Sequence, residues 1–419
     1  MRVAIIGAGA AGLAALKVFQ GVTDEDDLVA FDSQHEVGGT WLYSESSESW
    51  FASPVYTNLC TNLPPECMQF STMPFPEETD QFPHHSVVHK YLVDFADMYN
   101  LRRFIRLNTT VEECTFDNDV WSIQLSNGMK HVADRLIVAT GHFRTPHIPK
   151  EPIIDPSIHC IHSREYRRPN EYKNKTVVVV GGGTSALDIA REIAPLANRV
   201  ILSMRNAGTS SGDLGEKFEH LTPIRADGSM ADLTLYGSIR NTAPDGTVEF
   251  DDGTVIVNVD ALLQCTGYNF DFPFFSRGDF GTQSTKLLDD NAAAVYNLFR
   301  EMIYIPNTTL AFLGVDHRIW PFPVFEYQAQ LLSLYWTHQL HLPSVSDMRY
   351  HEEKEAQRWS YTPGSRESHK FGPERQYAYL AAIYEDVLRC NPCDVLPKPS
   401  LDMDRQMRIL HARKNHLGY

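Results

Sequence analysis

Long apolar runs are missing from this 419-residue sequence. Val177–Val180 and Leu310–Val315 are typical of its apolar stretches and fall far short of the ~20 residues a membrane-spanning helix needs. No spanning segment or membrane anchor is therefore expected, and the polar, basic stretch from Arg408 to Tyr419 is no hydrophobic tail. The apolar start at Val3–Ile6 is interrupted by glycines at 7, 9 and 12, so it is not read as a secretory leader. Blocks of Lys and Arg are absent too: 53 acidic residues oppose 37 basic ones, a formal charge of -16. That balance argues against nucleic acid as a partner. Cysteines number seven, an odd count that does not suit a disulfide framework. The one close pair, Cys390 and Cys393, has no second CxxC or His pair beside it. Neither His84-His85 nor His159 with His162 supplies three or four ligands, so no metal site is expected. Reduced thiols and no leader point to the cytoplasm.

What is present is a normal globular composition, 43% hydrophobic and 21% charged, at a length for which two domains are the default. Arg2–Ile6 reads as a buried strand, Gly7-Ala-Gly9-Ala-Ala-Gly12 follows it directly, and Leu13–Phe19 reads as a helix. In such a strand, turn and helix, Gly7 permits the tight turn, Gly9 admits a pyrophosphate and Gly12 lets helix and strand pack. The helix N-terminus then faces phosphate. Leu28–Phe31 forms the next strand and ends at Asp32, where a carboxylate accepts hydrogen bonds from ribose hydroxyls. Gly38-Gly39-Thr40-Trp41 comes next, a second glycine pair suited to a longer dinucleotide. This extra segment assigns FAD to the first site, with Gly7, Gly9, Gly12, Asp32, Gly39, Thr40 and Trp41 as its binding residues.

A second site follows the β-branched run Thr176–Val180, expected to be a strand buried on both faces. Gly181-Gly-Gly183-Thr184-Ser185-Ala186 replaces the third glycine by alanine, which the pattern tolerates, and a helix continues over Leu187–Ile193. The following strand, Arg199–Ser203, leads into Ser203-Met-Arg205 where an NAD site would carry an acid. A carboxylate would repel a 2′-phosphate, whereas Arg205 can clamp one. NADPH is therefore expected here, on Gly181, Gly183, Thr184, Ser185, Ser203 and Arg205. Ser210-Ser211 could also reach phosphate or could be plain surface loop.

Asp134–Ala139 ending in Thr140-Gly141-His142 and Asp260–Gln264 ending in Thr266-Gly267-Tyr268 repeat each other in form. Both read as points where the chain crosses between domains. The expected fold is α/β with two Rossmann-like dinucleotide-binding domains, the NADPH domain inserted in the FAD domain. The bounds drawn are 1–170 and 265–419 for the FAD domain and 171–264 for the NADPH domain.

In order along the chain, the first glycine loop, Gly38-Gly39-Thr40-Trp41, Thr61-Asn62 before a Pro-rich stretch, Ala139-Thr140-Gly141, the second glycine loop and Thr266-Gly267-Tyr268 resemble the class B flavin-containing monooxygenase family. The resemblance covers nearly the whole chain and is nearest in length to short soluble members such as fungal and insect N-oxygenating ones. His162-Ser-Arg-Glu-Tyr166 matches the second half of that family's FxGxxxHxxx-aromatic signature. Pro156 and Ile158 depart from its Phe and Gly.

The resemblance implies a cycle in which NADPH reduces FAD and molecular oxygen adds to the flavin to give a C4a-hydroperoxide. A soft nucleophile, an amine nitrogen or sulfide sulfur of a small molecule, then takes the distal oxygen. It also implies that Asn62 lies beside the flavin, where a neutral amide donates and accepts without giving up a proton. The alternative for Asn62 is to hold the Thr61–Pro64 turn. A disulfide reductase would need a cysteine pair after Gly38-Gly39, and Cys60 and Cys67 are separated by Pro64-Pro65. A Baeyer–Villiger monooxygenase prefers tryptophan where this chain has Tyr166. An NADPH oxidase and a non-catalytic nucleotide-binding regulator are further alternatives, and a homo-oligomer is compatible with the sequence.

Overall fold

The computed structural model describes residues 1–47, 52–152, 154–205, 223–275, 287–390 and 396–399. The chain forms two compact units. One holds Met1–Tyr43, Cys60–Thr145 and the described residues from Asn269 on. The other holds the described residues of 44–59 and of Pro146–Tyr268. Among the described residues the chain thus passes between units four times, at 43/44, 59/60, 145/146 and 268/269.

In the first unit a seven-stranded sheet runs Leu298–Phe299, Ile303–Tyr304, Leu310–Phe312, Arg135–Val138, Val3–Ile6, Leu28–Phe31, Ile105–Arg106. From Leu310–Phe312 onward these neighbours pair in parallel, with Val3 opposite Leu28 on one side and Arg135 on the other. Because successive side chains point to opposite faces, Val3 and Ile5 join Leu28, Ala30 and Ile137 in the helix-covered core. Ala4 and Ile6 join Val29, Phe31 and Leu136 under a three-stranded antiparallel sheet of Val111–Asp117, Val120–Leu125 and Lys130–Ala133. Continuous apolar strands are what a sheet covered on both faces requires. Trp121, fully buried, anchors that second layer by donating its indole N–H to Thr309 Oγ1 at 2.9 Å. On the other face the helix Ala10–Phe19 meets Pro321–Trp336, where the rings of Phe19 and Trp336 lie 5.7 Å apart. Tyr327, Tyr335 and Trp336 are all buried core.

The second unit carries a five-stranded parallel sheet ordered Leu233–Tyr236, Arg199–Ser203, Thr176–Val180, Ala261–Gln264, His159–His162. Val177 and Val179 face the core shared with the helix Thr184–Ile193. Val178 faces the one shared with Ile201, Phe250 and Leu262. This unit starts well before residue 171, since His159–His162 pairs with Ala261–Gln264 as an edge strand of its sheet. With only Ile161 as a large apolar residue among His159, Cys160 and His162, this strand carries no apolar run.

Candidate active site

The two glycine turns of the first unit meet. The Gly38 N–H donates to Ala8 O at 3.0 Å, and a Cβ on Gly39, whose φ is 56°, would stand 2.8 Å from the Gly9 Cα. A Cβ on Gly12 would fall 2.0 Å from Gly7 O, so the helix rests directly on the turn before it. That helix begins at Ala10, earlier than its apolar residues suggest, with Gly9 as an N-cap that offers no side-chain acceptor. Its first N–H groups are left for a ligand. Beside them Asp32 is buried, its Oδ2 accepting the Ala8 N–H at 2.6 Å and its Oδ1 the Gln34 N–H at 2.8 Å. Burial pushes its carboxyl up from the ordinary value, and the two backbone donors pull it back. A carboxylate has about four acceptor sites, so lone pairs remain for a diol. Thr40 and Trp41 lie in the short 3₁₀ turn Gly39–Trp41, both partly buried. The backbone cradle, the open helix N-terminus and the Asp32 carboxylate fit the pyrophosphate and ribose of a dinucleotide such as FAD.

Asn62 is exposed, whereas Thr61 beside it is buried. Thr61 holds the turn: its N–H donates to Pro83 O at 2.9 Å and its hydroxyl to Leu63 O at 2.7 Å. The structural work open to Asn62 is therefore done by its neighbour, and its amide is left to face solvent or a ligand. Elsewhere in this unit His142 Nδ1 lies 3.1 Å from Gly314 O, and burial lowers its pKa to about 4.

In the second unit a Cβ on Gly181, φ 138°, would lie 2.4 Å from Cys265 O. Gly183, by contrast, faces open space, with nothing within 4 Å. The helix starts at Thr184, with Thr184 partly buried and Ser185 exposed over its first turn. This open, uncapped helix start fits a phosphate. Arg205 is exposed at the end of the next strand. Ser203 is different: it is buried and its hydroxyl donates to Gly237 O at 2.8 Å, leaving its oxygen only as an acceptor. Ser210 and Ser211 lie outside the described residues.

The signature residues act as ties within this unit. His162 Nε2 sits 3.0 Å from Gly267 O while its Nδ1 accepts the Arg164 N–H at 3.1 Å, which places the proton on Nε2. Burial lowers its pKa to about 4. Tyr166, fully buried, donates to Glu192 Oε2 at 2.7 Å, and the Asn58 amide donates to the other Glu192 oxygen. Burial raises the Glu192 carboxyl, and these two donors oppose the rise. Nothing in the sequence pattern singled out Asn58 or Glu192, since a lone acid late in a helix is an ordinary surface residue.

Among the described residues one group of side chains has metal-ligand composition: Glu301, Asp316 and His369. Its bonding is that of a proton network. Val295 N–H donates to His369 Nε2 at 3.0 Å, so the ring proton sits on Nδ1, 2.8 Å from Glu301 Oε2. Neither ring nitrogen is free to ligate, and Arg375 pairs with the same Glu301 at 2.8 Å.

A family model described as flavin-binding monooxygenase-like matches residues 1–217. The flavin-containing monooxygenase FMO GS-OX-like 4 of Arabidopsis thaliana is 32% identical over 83% of this chain and 78% of its own length. FMO GS-OX5 of the same plant is 30% identical over 92% and 85%. Among solved structures, S-allyl-L-cysteine S-oxygenase from Allium sativum superposes with a TM-score of 0.78 at 26% identity, over 99% of this chain and 96% of that one. The chain belongs to the flavin-binding monooxygenase-like family. It is an oxidoreductase with FAD and NADPH as its cofactors, acting with O2 on small molecules.

Proposed function

We propose that the protein oxygenates a soft nucleophilic atom, a sulfide sulfur or an amine nitrogen, of a small molecule in the cytoplasm. The observation that carries this reading is Asn62: an exposed neutral amide, released from its turn by Thr61, in the unit that carries the Asp32 cradle. Sulfur is favoured by the likeness to a protein named as an S-oxygenase.

In this reading the first unit, with Gly7, Gly9, Gly12, Asp32, Gly39, Thr40 and Trp41, holds FAD. The second, with Gly181, Gly183, Thr184, Ser185, Ser203 and Arg205, holds NADPH. Bound FAD supplies the redox chemistry, taking two electrons from NADPH and activating O2. The protein's part is then to bind, orient and keep water out. Asp32 would fix the ribose. Arg205 would meet the 2′-phosphate with a charge-assisted fork, and the Asn62 amide would donate to oxygen and accept from the flavin edge without supplying a proton. Ser203, its donor committed to Gly237, could only accept.

The test is turnover of purified FAD-loaded protein with NADPH in air, offered a thioether, a tertiary amine and a cyclic ketone in turn. Products would be identified by mass spectrometry. A product carrying one added oxygen, formed in proportion to NADPH consumed, is expected for the thioether or the amine. Consumption of NADPH with hydrogen peroxide alone, or a lactone from the ketone, would overturn the reading.

A further inference from the structure

Away from both glycine turns, the first unit carries a depression of about 400 Å³ along the Leu28–Phe31 and Ile105–Arg106 edge of its sheet. Its volume lies in the range of small-molecule sites, and neither Asp32 nor any residue of the two glycine turns lines it. Val29, Phe31 and Leu125, all buried, give it an apolar floor, while the Phe104 ring lies under the Arg103 guanidinium at 4.6 Å. Two cations stand at its rim. Arg106 is exposed and spends only Nη1, on the carbonyls of Arg103 and Ile105, and it has no carboxylate partner among the described residues. Lys130 is exposed and likewise has no ion pair among them. The acids that also line it do not cancel this pair: Glu25 is held by Arg103 at 3.2 Å, which leaves Asp26 against the two cations. The pKa of His131, which also lines the depression, is lowered by burial first, then by Arg2 and Arg106. In a chain of net charge -16, two unpaired cations over an apolar floor form a local attractor for anions.

We infer that this depression binds a small organic anion with a flat apolar body, its carboxylate or sulfonate on Arg106 and Lys130 and its ring over the floor of Val29, Phe31 and Leu125. The guanidinium's unused Nε and Nη2 edge matches a carboxylate in the two-bond fork. The floor would cover the ring face. The site is distinct from those proposed for FAD and NADPH and does not depend on which substrate is oxygenated.

The test uses FAD-loaded protein titrated calorimetrically with 2-naphthoate and, separately, with uncharged 2-naphthamide, each with and without saturating FAD and NADP⁺. The acid is expected to bind with one ligand per chain, about tenfold or more tighter than the amide, as loss of a charged hydrogen bond implies, and to be indifferent to added cofactor. R106Q and K130Q, both at exposed side chains, should each weaken the acid about tenfold while leaving flavin content and the amide's affinity unchanged. Equal binding of acid and amide, displacement by either cofactor, or full affinity in R106Q/K130Q would overturn the inference. So would the absence of any binding heat or fluorescence change for the acid at millimolar concentration.

Discussion

Gly9 and Gly39 stand backbone to backbone, close enough that one methyl group on Gly39 would sit 2.8 Å from the Gly9 Cα. Two turns that are separate in sequence are thereby one wall, held by the Gly38-to-Ala8 hydrogen bond. Gly39→Ala must strain a left-handed residue and push the wall apart, at a cost on the order of 1–3 kcal/mol. The expected result is FAD affinity about tenfold or more weaker, with the circular dichroism of the fold retained. Flavin retained on gel filtration reads this directly. Unchanged retention would mean the contact has slack.

Asp32→Asn replaces an acceptor by an amide, one end of which must meet an N–H of Ala8 or Gln34. Leaving a buried donor facing a donor costs about 1–3 kcal/mol. Apoprotein stability should fall along with FAD affinity, so thermal unfolding measured with and without FAD separates the two losses.

Arg205→Ala should raise the KM for NADPH about tenfold or more and leave that for NADH unchanged, because only the former carries a 2′-phosphate to lose. Steady-state kinetics with both nucleotides decides it. Equal effects on the two would assign Arg205 to general surface charge.

Asn62→Ala and Thr61→Val separate chemistry from fold. Since Thr61 Oγ1 and N–H hold the turn, the asparagine variant should unfold at the parental temperature and yet oxygenate about 10²-fold more slowly, the size typical of a lost polar contact to a reacting oxygen. Thr61→Val should lose about 1 kcal/mol of stability. A destabilised Asn62→Ala would return that residue to a structural role.

Glu352, on the helix Val345–Trp359, has its carboxyl pushed up to about 7, first by burial and then by Glu301, with Glu353 adding to this and Arg349 and His369 opposing. A group whose folded pKa is raised contributes stability below its unfolded value, 4.5, that is lost as pH climbs through about 7. Between pH 5 and 8 the protein should therefore weaken by on the order of 1–2 kcal/mol from this group, after allowance for its partial exposure. Glu352→Gln should flatten that slope, reading as more stable than the parent at pH 8. Denaturant melts at both pH values measure it.

Much of this is legible in the sequence alone. The strand, glycine turn, helix and acid of the first unit follow from local chemistry: Gly12 is needed because helix and turn touch, and Asp32 ends a four-residue apolar strand at the height of Ala8. The same holds for Gly181 and the run Thr176–Val180. What was not legible depends on distant partners. The strand His159–His162 is polar at both ends and becomes a strand only because Ala261–Gln264 offers its edge, so the second unit starts earlier than the apolar pattern suggested. Nor does the sequence show that residues 52–59 belong with that unit, a membership carried by Tyr56 against Tyr166 and Asn58 on Glu192. Ser203 reads as a phosphate ligand by position, yet the strand's approach to Gly237 claims its proton.

The crossings between units among the described residues also set an order of events during synthesis. The first unit's central strand, Val3–Ile6, precedes the second unit's strands, but the sheet continues past Arg135–Val138 only through Leu310–Phe312, and the helix that covers the first glycine helix is Pro321–Trp336. By the time those segments leave the ribosome, every described strand of the second unit's five-stranded sheet has already been made. The inner unit can therefore close while the outer one is still half a sheet with an apolar face open, and that half-built sheet is the stretch of translation in which a chaperone would have most to hold.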